Sequence, residues 1–219
     1  MKNLFSTSIG KKFAMAISAI FLMIFLLQHF IINITSVFSE DIFNMLSHFM
    51  GTNPLVQFIL QPILIAGVLF HFIMGFYLEI KNRKAAKYEY QKEKGSANST
   101  WMSRNMITSG LVILAFLVLH FIDFWVPEMN YKYIEFLPED PNRYYEELVH
   151  KFENPLRVAM YCISFVLLAL HLLHGFTSSL RSMGTNKSYV SSAKTAGIVY
   201  SIGIPLGFCV IAIFHYLNH

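Results

Sequence analysis

With 219 residues, of which 55% are hydrophobic and only 14% charged, the chain is too apolar for an ordinary soluble domain. Its formal charge of +4 would admit a nucleic-acid partner, but the basic residues stand in short blocks between apolar runs, as topology signals of membrane proteins do. We therefore exclude nucleic acid as a partner and expect a protein embedded in membrane lipid.

Five apolar stretches are each long enough to cross a hydrocarbon core of about 30 Å, which takes about 20 helical residues. They cover residues of about 13–38, 54–80, 105–126, 155–180 and 194–217. Each is expected to be helical, because a lone segment in lipid must satisfy its backbone hydrogen bonds within itself. The first run is too long for a signal peptide and has no small-residue cleavage site, so we expect it to remain in the mature protein. The sequence predicts a single all-α transmembrane domain over residues 1–219.

The basic residues predict the orientation of the spans. Thirteen of the 17 Lys and Arg residues lie before the first span, between residues 81 and 104, or between residues 181 and 194. The opposite side carries an acidic loop, residues 127–154, with seven carboxylates and three basic side chains. By the positive-inside rule, the N-terminus is expected in the cytoplasm of a bacterium and the C-terminus outside its plasma membrane.

Two connecting segments have a composition of their own. The acidic loop includes Tyr144-Tyr145-Glu146-Glu147, which fits either a short amphipathic helix at the membrane interface or a solvated connector. On the cytoplasmic side, the polar segment from Lys87 to Thr100 contains Gly95 and Ser96, so we expect an exposed turn there.

Histidine is the main ionisable residue inside the spans. Spans one to four contain His29, His71, His120, His171 and His174. An ionisable group at this depth is costly and therefore indicates a functional site. Three further ionisable residues lie near span ends, where their side chains are expected to reach water: Glu79, Asp123 and Arg157. The other histidines are expected at the outer surface: His48, His150, His215 and His219.

Local sequence is echoed around four of these histidines. Gln28-His29-Phe30-Ile31 resembles Leu119-His120-Phe121-Ile122, and the segment from His71 to Gly75 resembles the segment from His171 to Gly175. Each histidine lies sixteen or seventeen residues beyond the start of its span, or about 25 Å at the helical rise. Because consecutive spans run in opposite directions, His29 and His120 should form an outer pair and His71 and His171 an inner pair, with the two levels roughly 10 Å apart.

Two such pairs favour two stacked haems, each held from both sides by neutral imidazoles in the core of a four-helix bundle. The two cysteines form no C-x-x-C-H signature, so any haem is bound without a covalent link. His174 competes with His171, which we prefer because its spacing to Gly175 matches that of His71 to Gly75. His174 is then a partner of the haem periphery or an interhelical hydrogen-bonding residue. Gly67, Gly75 and Gly175 either leave room for a porphyrin edge or allow close helix packing.

These residues resemble a known family, the di-haem cytochrome b anchors of succinate dehydrogenases and fumarate reductases that have one five-helix anchor polypeptide. The resemblance covers nearly the whole chain. It rests on the segment from Ser6 to Lys12, on the four histidines, and on Asn33, Gly75, Gly175 and Gly184. It implies a flavoprotein subunit and an iron-sulfur subunit docked at the cytoplasmic face, with two haem b groups relaying electrons to a membrane quinone. The glutamate that some members carry two residues before the fourth-span ligand is Ala169 here, so a proton pathway along span four is not expected.

A quinone site near the outer haem is also implied by the resemblance, with menaquinone as the expected quinone. The polar candidates at that depth are Asn53, Gln57, Gln61, Asp123 and His48. The favoured alternative for each is an ordinary helix-end or interfacial residue. The cationic side chains at the inner end are expected to fix topology or to pair with haem propionates, and they are Lys81, Arg83, Arg104 and Arg181.

Two alternatives remain at this stage. The cytochrome b subunit of a formate dehydrogenase or hydrogenase also stacks two haems, whereas a transporter would use the histidines as a proton or metal relay. A transporter is expected to have broken helices. The apolar runs of this chain are largely uninterrupted.

Overall fold

The computed structural model describes residues 7–89 and 105–219, and it describes no side chains at 85–89 and 187–192. All regular structure in those residues is helical. The α-helices are α1 (Ser8–Ile34), α2 (Glu40–Thr52), α3 (Gln61–Glu89), α4 (Met106–His120), α5 (Val126–Tyr133), α6 (Arg143–Phe152), α7 (Pro155–Ser182) and α8 (Lys187–Asn218). Short 3-10 and π-helical turns at Thr35–Val37, Val56–Leu60 and Phe121–Trp125 join onto them.

Five helical segments within the described residues are long and apolar enough to cross a membrane. We number these spans in chain order: Ser8–Val37, Val56–Lys84, Met106–Tyr133, Pro155–Ser182 and Ala193–Asn218. The predicted class, a multi-pass all-α membrane protein, is therefore confirmed. The predicted turn in the segment from Lys87 to Thr100 falls largely outside the described residues.

The third span is longer than the sequence predicted. It was expected to end at about residue 126, yet the helix continues to Tyr133. A π-helical turn at Phe121–Trp125 separates α4 from α5, and Pro127 falls in the first turn of α5. Pro127 has no N–H to donate, and it lies where the helix changes from the π to the α hydrogen-bond pattern, so it does not interrupt a regular run of α-helical hydrogen bonds.

The first four spans form a bundle. Span 1 packs against spans 2 and 4, and span 3 packs against the same two spans. Spans 1 and 3 therefore occupy one diagonal of the bundle, and spans 2 and 4 occupy the other. Span 5 lies outside the bundle against spans 4 and 1. The four spans that carry histidines are thus the four that surround a common interior.

Helices α2 and α6 cover one end of the bundle, which we call the outer end after its predicted location. The amphipathic alternative for the acidic loop is confirmed, because α6 buries Leu148 and Phe152 in a cluster with Phe43 of α2. Helix α2 was not predicted. It begins after Ser39, whose side chain accepts a hydrogen bond from the amide of Ile42 in an N-cap.

Arg143 ties the outer helices together. Its guanidinium pairs with Glu128 of α5 and, at 2.5 Å, with Glu147 of its own helix. It also lies over the rings of Tyr131 and Tyr144, 4.1 and 4.4 Å from their centroids, in cation–π geometry. Burial, followed by the nearby Glu128 carboxylate, raises the pKa of Tyr144 to about 12, so this phenol stays neutral at physiological pH.

Span 5 packs closely against span 1 at Gly207. A Cβ atom at this position would lie 2.4 Å from the ring of Phe30, and Phe30 packs against the buried ring of Phe208 at a centroid distance of 5.3 Å. Gly203, one turn earlier, has no atom of the described chain within 4 Å of such a Cβ. The two glycines lie on the same helix, but only Gly207 is packed closely against another span.

We expect Gly207→Ala to lower the free energy of unfolding by about 1–3 kcal/mol, because the added methyl group must displace Phe30 from a packed position. Gly203→Ala is the matched control, and its effect is expected to be neutral or slightly stabilising, because alanine favours helix over glycine. Unfolding of both variants in mixed micelles with increasing SDS measures the difference. Equal stability of the two variants would contradict this packing.

Candidate functional site

The inner pair consists of His71 on span 2 and His171 on span 4. Their ring centroids are 6.5 Å apart, with the ring planes at 65°. The two residues come from diagonal corners of the bundle, so their imidazoles face each other across its interior. The pairing predicted from sequence is the one that the fold brings together.

The outer pair consists of His29 on span 1 and His120 on span 3. Their ring centroids are 5.7 Å apart and the planes are nearly perpendicular, at 86°. Each ring stacks on a phenylalanine one turn earlier in its own helix, His29 on Phe25 at 5.6 Å and His120 on Phe116 at 5.9 Å. These contacts hold both rings against the helix and direct them to the bundle interior.

Serine hydroxyl groups contact the inner histidines. Ser18 Oγ lies 3.0 Å from His71 Nδ1, and Ser109 Oγ lies 3.1 Å from His171 Nδ1. Ser18 is eleven residues before His29 on span 1, and Ser109 is eleven residues before His120 on span 3.

The serine contacts locate the two levels relative to each other. The inner level coincides with Ser18 and Ser109, and eleven residues of helix rise about 16 Å. The predicted separation of roughly 10 Å is therefore too short. That prediction was made from the start positions of the apolar runs, whereas the serine contacts give the level of the inner histidines directly.

The two halves of the bundle repeat each other beyond the segments around the histidines. Met15, Ser18, Phe25 and His29 of span 1 recur as Met106, Ser109, Phe116 and His120 in span 3, each 91 positions later. In the same way, a Cβ on Gly75 would lie 3.5 Å from Met15, and one on Gly175 would lie 3.8 Å from Met106. These are ordinary van der Waals distances, whereas a Cβ on Gly67 would lie 2.8 Å from Phe21, so close helix packing requires a glycine at position 67.

The geometry of each pair fits a metal held between two imidazoles. Metal–imidazole nitrogen bonds are about 2.0–2.1 Å long, which places the centroids of two opposed rings about 6 Å apart. The observed separations of 5.7 and 6.5 Å bracket that value. Within the described ranges, no three His, Cys, Asp or Glu side chains gather into a metal cluster. Each pair therefore brings two imidazole rings within the separation that a single metal ion between them requires.

His174 lies on span 4, one turn beyond His171 and half-buried. It is close enough to Arg181 to interact with it electrostatically. Its position towards the inner end agrees with a role beside the site. The ring pair that spans the bundle interior is formed by His171 with His71.

Asp123 belongs to a buried ion pair beside the outer histidines. It was expected to reach water at the end of span 3, but its side chain is only 2% exposed. Its carboxylate pairs with Arg157 Nη1 at 3.0 Å and accepts a hydrogen bond from the Tyr161 hydroxyl at 2.8 Å. The ring of Tyr161 lies 6.3 Å from that of His120. The π-helical turn that contains Asp123 directs it into the protein.

The other polar candidates for a quinone site lie near the outer ends of spans 2 and 3. Asn53 caps span 2 by accepting hydrogen bonds from the amides of Leu55 and Val56. Gln57 accepts a hydrogen bond from the Tyr133 hydroxyl at 2.8 Å, and Gln61 is half-buried one turn further along. The ring of His48 packs on Tyr144, at a centroid distance of 6.2 Å.

His215 was expected at the surface but is fully buried. Its Nε2 lies 2.9 Å from the hydroxyl of Ser36, and its ring packs at 5.5 Å from that of Tyr145 on α6. The sequence could not show this burial, because it depends on α6 folding over the end of span 5. His150 and His219 are exposed, as expected.

Comparison with known proteins adds no relative to this picture. No family model matches the chain, and no curated protein or solved structure matches it. The resemblance to succinate dehydrogenase anchors therefore rests on the residues quoted from the sequence. Of these residues, Ser6 lies outside the described residues, and so does Arg104, one of the expected inner-end cations.

Proposed function

We propose that the chain is a di-haem cytochrome b that relays electrons through a membrane. The observation that carries the proposal is the pair of opposed imidazole couples, His71 with His171 and His29 with His120, at two heights inside one four-helix bundle. These four histidines would hold the iron of two haems, two histidines for each, and the porphyrins would supply the other ligands. Haem, when bound, supplies one-electron chemistry at its iron.

The chain's own residues set the path of the electrons and separate that path from the surroundings of the protein. The two levels are about 16 Å apart along the helices, so electrons would pass between them through the bundle interior. Phenylalanine rings stack on the outer couple, Phe25 on His29 and Phe116 on His120. Burial of this kind favours neutral imidazoles, which are haem iron ligands.

We further propose, from the family resemblance, that the chain anchors a succinate:quinone oxidoreductase. A flavoprotein subunit would carry the succinate or fumarate chemistry, and an iron-sulfur subunit would exchange electrons with the inner haem. Basic side chains at the inner end, Lys11, Lys81 and Arg181 among them, offer a positive surface to such a partner or to haem propionates. The outer haem would then exchange electrons with a quinone, menaquinone by resemblance.

Purification of the chain with its natural partners in mild detergent tests to which complex the chain belongs. We expect co-purifying flavin and iron-sulfur clusters, and we expect succinate to reduce the haem of the complex. Haem reduced by formate or hydrogen instead would assign the chain to a formate dehydrogenase or hydrogenase.

A haem-free chain would leave a histidine-relay transporter as the alternative. The described spans argue against the broken helices expected of one, because their helical structure continues through the π-helical turns in spans 2 and 3. An absorption spectrum of the purified chain with reduced b-type bands would reject the transporter.

A further inference from the structure

We infer that Ser18 and Ser109 are positioning residues that fix the tautomer and the ligand strength of the inner histidine pair. This inference rests on the proposed function as a di-haem cytochrome. The two serines occupy equivalent places in the repeated halves of the bundle, and each contacts the Nδ1 atom of an inner histidine on a neighbouring span. Neither serine contacts the point between the two rings where iron would lie, so each acts through its histidine.

The direction of each hydrogen bond follows from the single hydrogen of a hydroxyl group. Ser18 Oγ donates to the backbone carbonyl of Met15 at 2.8 Å, and Ser109 Oγ donates to that of Met106 at 2.9 Å. With its hydrogen committed, each oxygen can only accept from the facing imidazole. The proton of His71 and of His171 therefore sits on Nδ1, and the lone pair of Nε2 is free to face the partner ring.

The outer pair lacks this arrangement. His120 Nδ1 is buried without a hydrogen-bond partner among the described residues. His29 Nδ1 lies 3.4 Å from the amide nitrogen of Asn33, and that nitrogen donates to the His29 carbonyl at 2.8 Å. The repeat of Met, Ser, Phe and His along spans 1 and 3 thus supplies hydroxyl acceptors to the inner level only.

A hydrogen bond from the outward N–H of a ligating imidazole raises the basicity of the ligand. A more basic axial ligand favours ferric over ferrous iron, and hydrogen bonding around axial ligands is one of the means by which a protein sets haem potential. Removing either serine hydroxyl is therefore expected to raise the midpoint potential of the inner haem. The outer haem, whose ligands do not contact these serines, should keep its potential.

The test compares Ser18→Ala and Ser109→Ala in the intact protein, by redox titration of the haem bands and by EPR of the oxidised low-spin haems. The matched control is Ser164→Ala, because Ser164 is equally buried and donates to the carbonyl of Met160. Ser18→Thr and Ser109→Thr retain a hydroxyl group. Ser18→Cys and Ser109→Cys keep the side-chain volume but offer a much weaker acceptor, so they serve where an alanine variant does not fold.

We expect both alanine variants to shift the same haem to a more positive potential and to change its EPR g values, with the other haem unaltered. The cysteine variants should show a shift of the same sign, whereas the threonine variants and Ser164→Ala should match the unaltered protein. Unchanged potentials and g values in protein that holds two haems would overturn the role of the serines and leave the cytochrome assignment intact. A shift confined to the outer haem would also overturn it. Absence of haem from the unaltered protein would instead refute the proposed function.

Discussion

Replacement of His71 or His171 by alanine is expected to abolish binding of the inner haem and to leave the outer haem in place. In the proposed function each residue supplies one of the two protein ligands at its level, and an alanine cannot coordinate iron. The outer pair draws its ligands from spans 1 and 3, on the other diagonal, and lies about 16 Å away along the bundle. The haem content of the purified variants, measured as pyridine haemochrome per chain, should fall to half that of the unaltered protein.

His29→Ala and His120→Ala are expected to do the converse and to lose the outer haem. His174→Ala is the matched control, because it removes a half-buried histidine from span 4 one turn beyond His171. It should retain both haems. If all four ligand variants kept two haems, the assignment of ligands would be wrong. Loss of a haem in His174→Ala alone would move the fourth ligand to that residue.

The second large effect is expected on the stability of the protein, at the buried ion pair of Asp123 with Arg157. Asp123→Ala leaves the Arg157 guanidinium without its carboxylate and the Tyr161 hydroxyl without its acceptor. Removing one partner of a buried pair destabilises proteins by 3–5 kcal/mol, and we expect about 3 kcal/mol here. The lower end of that range applies because the Arg157 side chain is 30% exposed. SDS-induced unfolding in mixed micelles measures the loss.

Two further variants separate charge from hydrogen bonding at this pair. The double variant Asp123→Leu with Arg157→Leu removes both charges and should recover most of the lost stability, because apolar replacements of buried pairs are often neutral. Tyr161→Phe removes one hydrogen-bond donor and should cost about 1 kcal/mol. An Asp123→Ala variant as stable as the unaltered protein would show that the ion pair contributes nothing to the fold.

The five spans were predictable because lipid imposes a strong constraint. A segment in hydrocarbon must be helical, apolar and about 20 residues long, and each of these properties is visible in one sequence. The histidine pairs were predictable for a related reason. Consecutive spans run in opposite directions, so residues equally far from the starts of their spans lie at one height in spans 1 and 3 and at another height in spans 2 and 4. His29 therefore aligns with His120, and His71 aligns with His171.

Other features depend on contacts that a sequence does not display. Asp123 is buried because a π-helical turn, which has no clear sequence signature, directs it towards Arg157 on another span. His215 is buried because α6 closes over it, and a position near a span end indicated the opposite. The serine–histidine contacts connect residues that are separated by 53 and by 62 positions in the sequence. The equivalence of Ser18 and Ser109 could have been predicted from the sequence, because the repeat with an offset of 91 residues includes these serines as well as the histidines.

Haem stoichiometry together with axial ligation tests the central claim most directly. Protein purified without added haem should contain two b-type haems per chain by pyridine haemochrome. Its oxidised EPR spectrum should show two low-spin ferric centres, each typical of two histidine ligands. A chain that contains no haem, or one whose haem iron has an axial ligand other than these four histidines, would contradict the account.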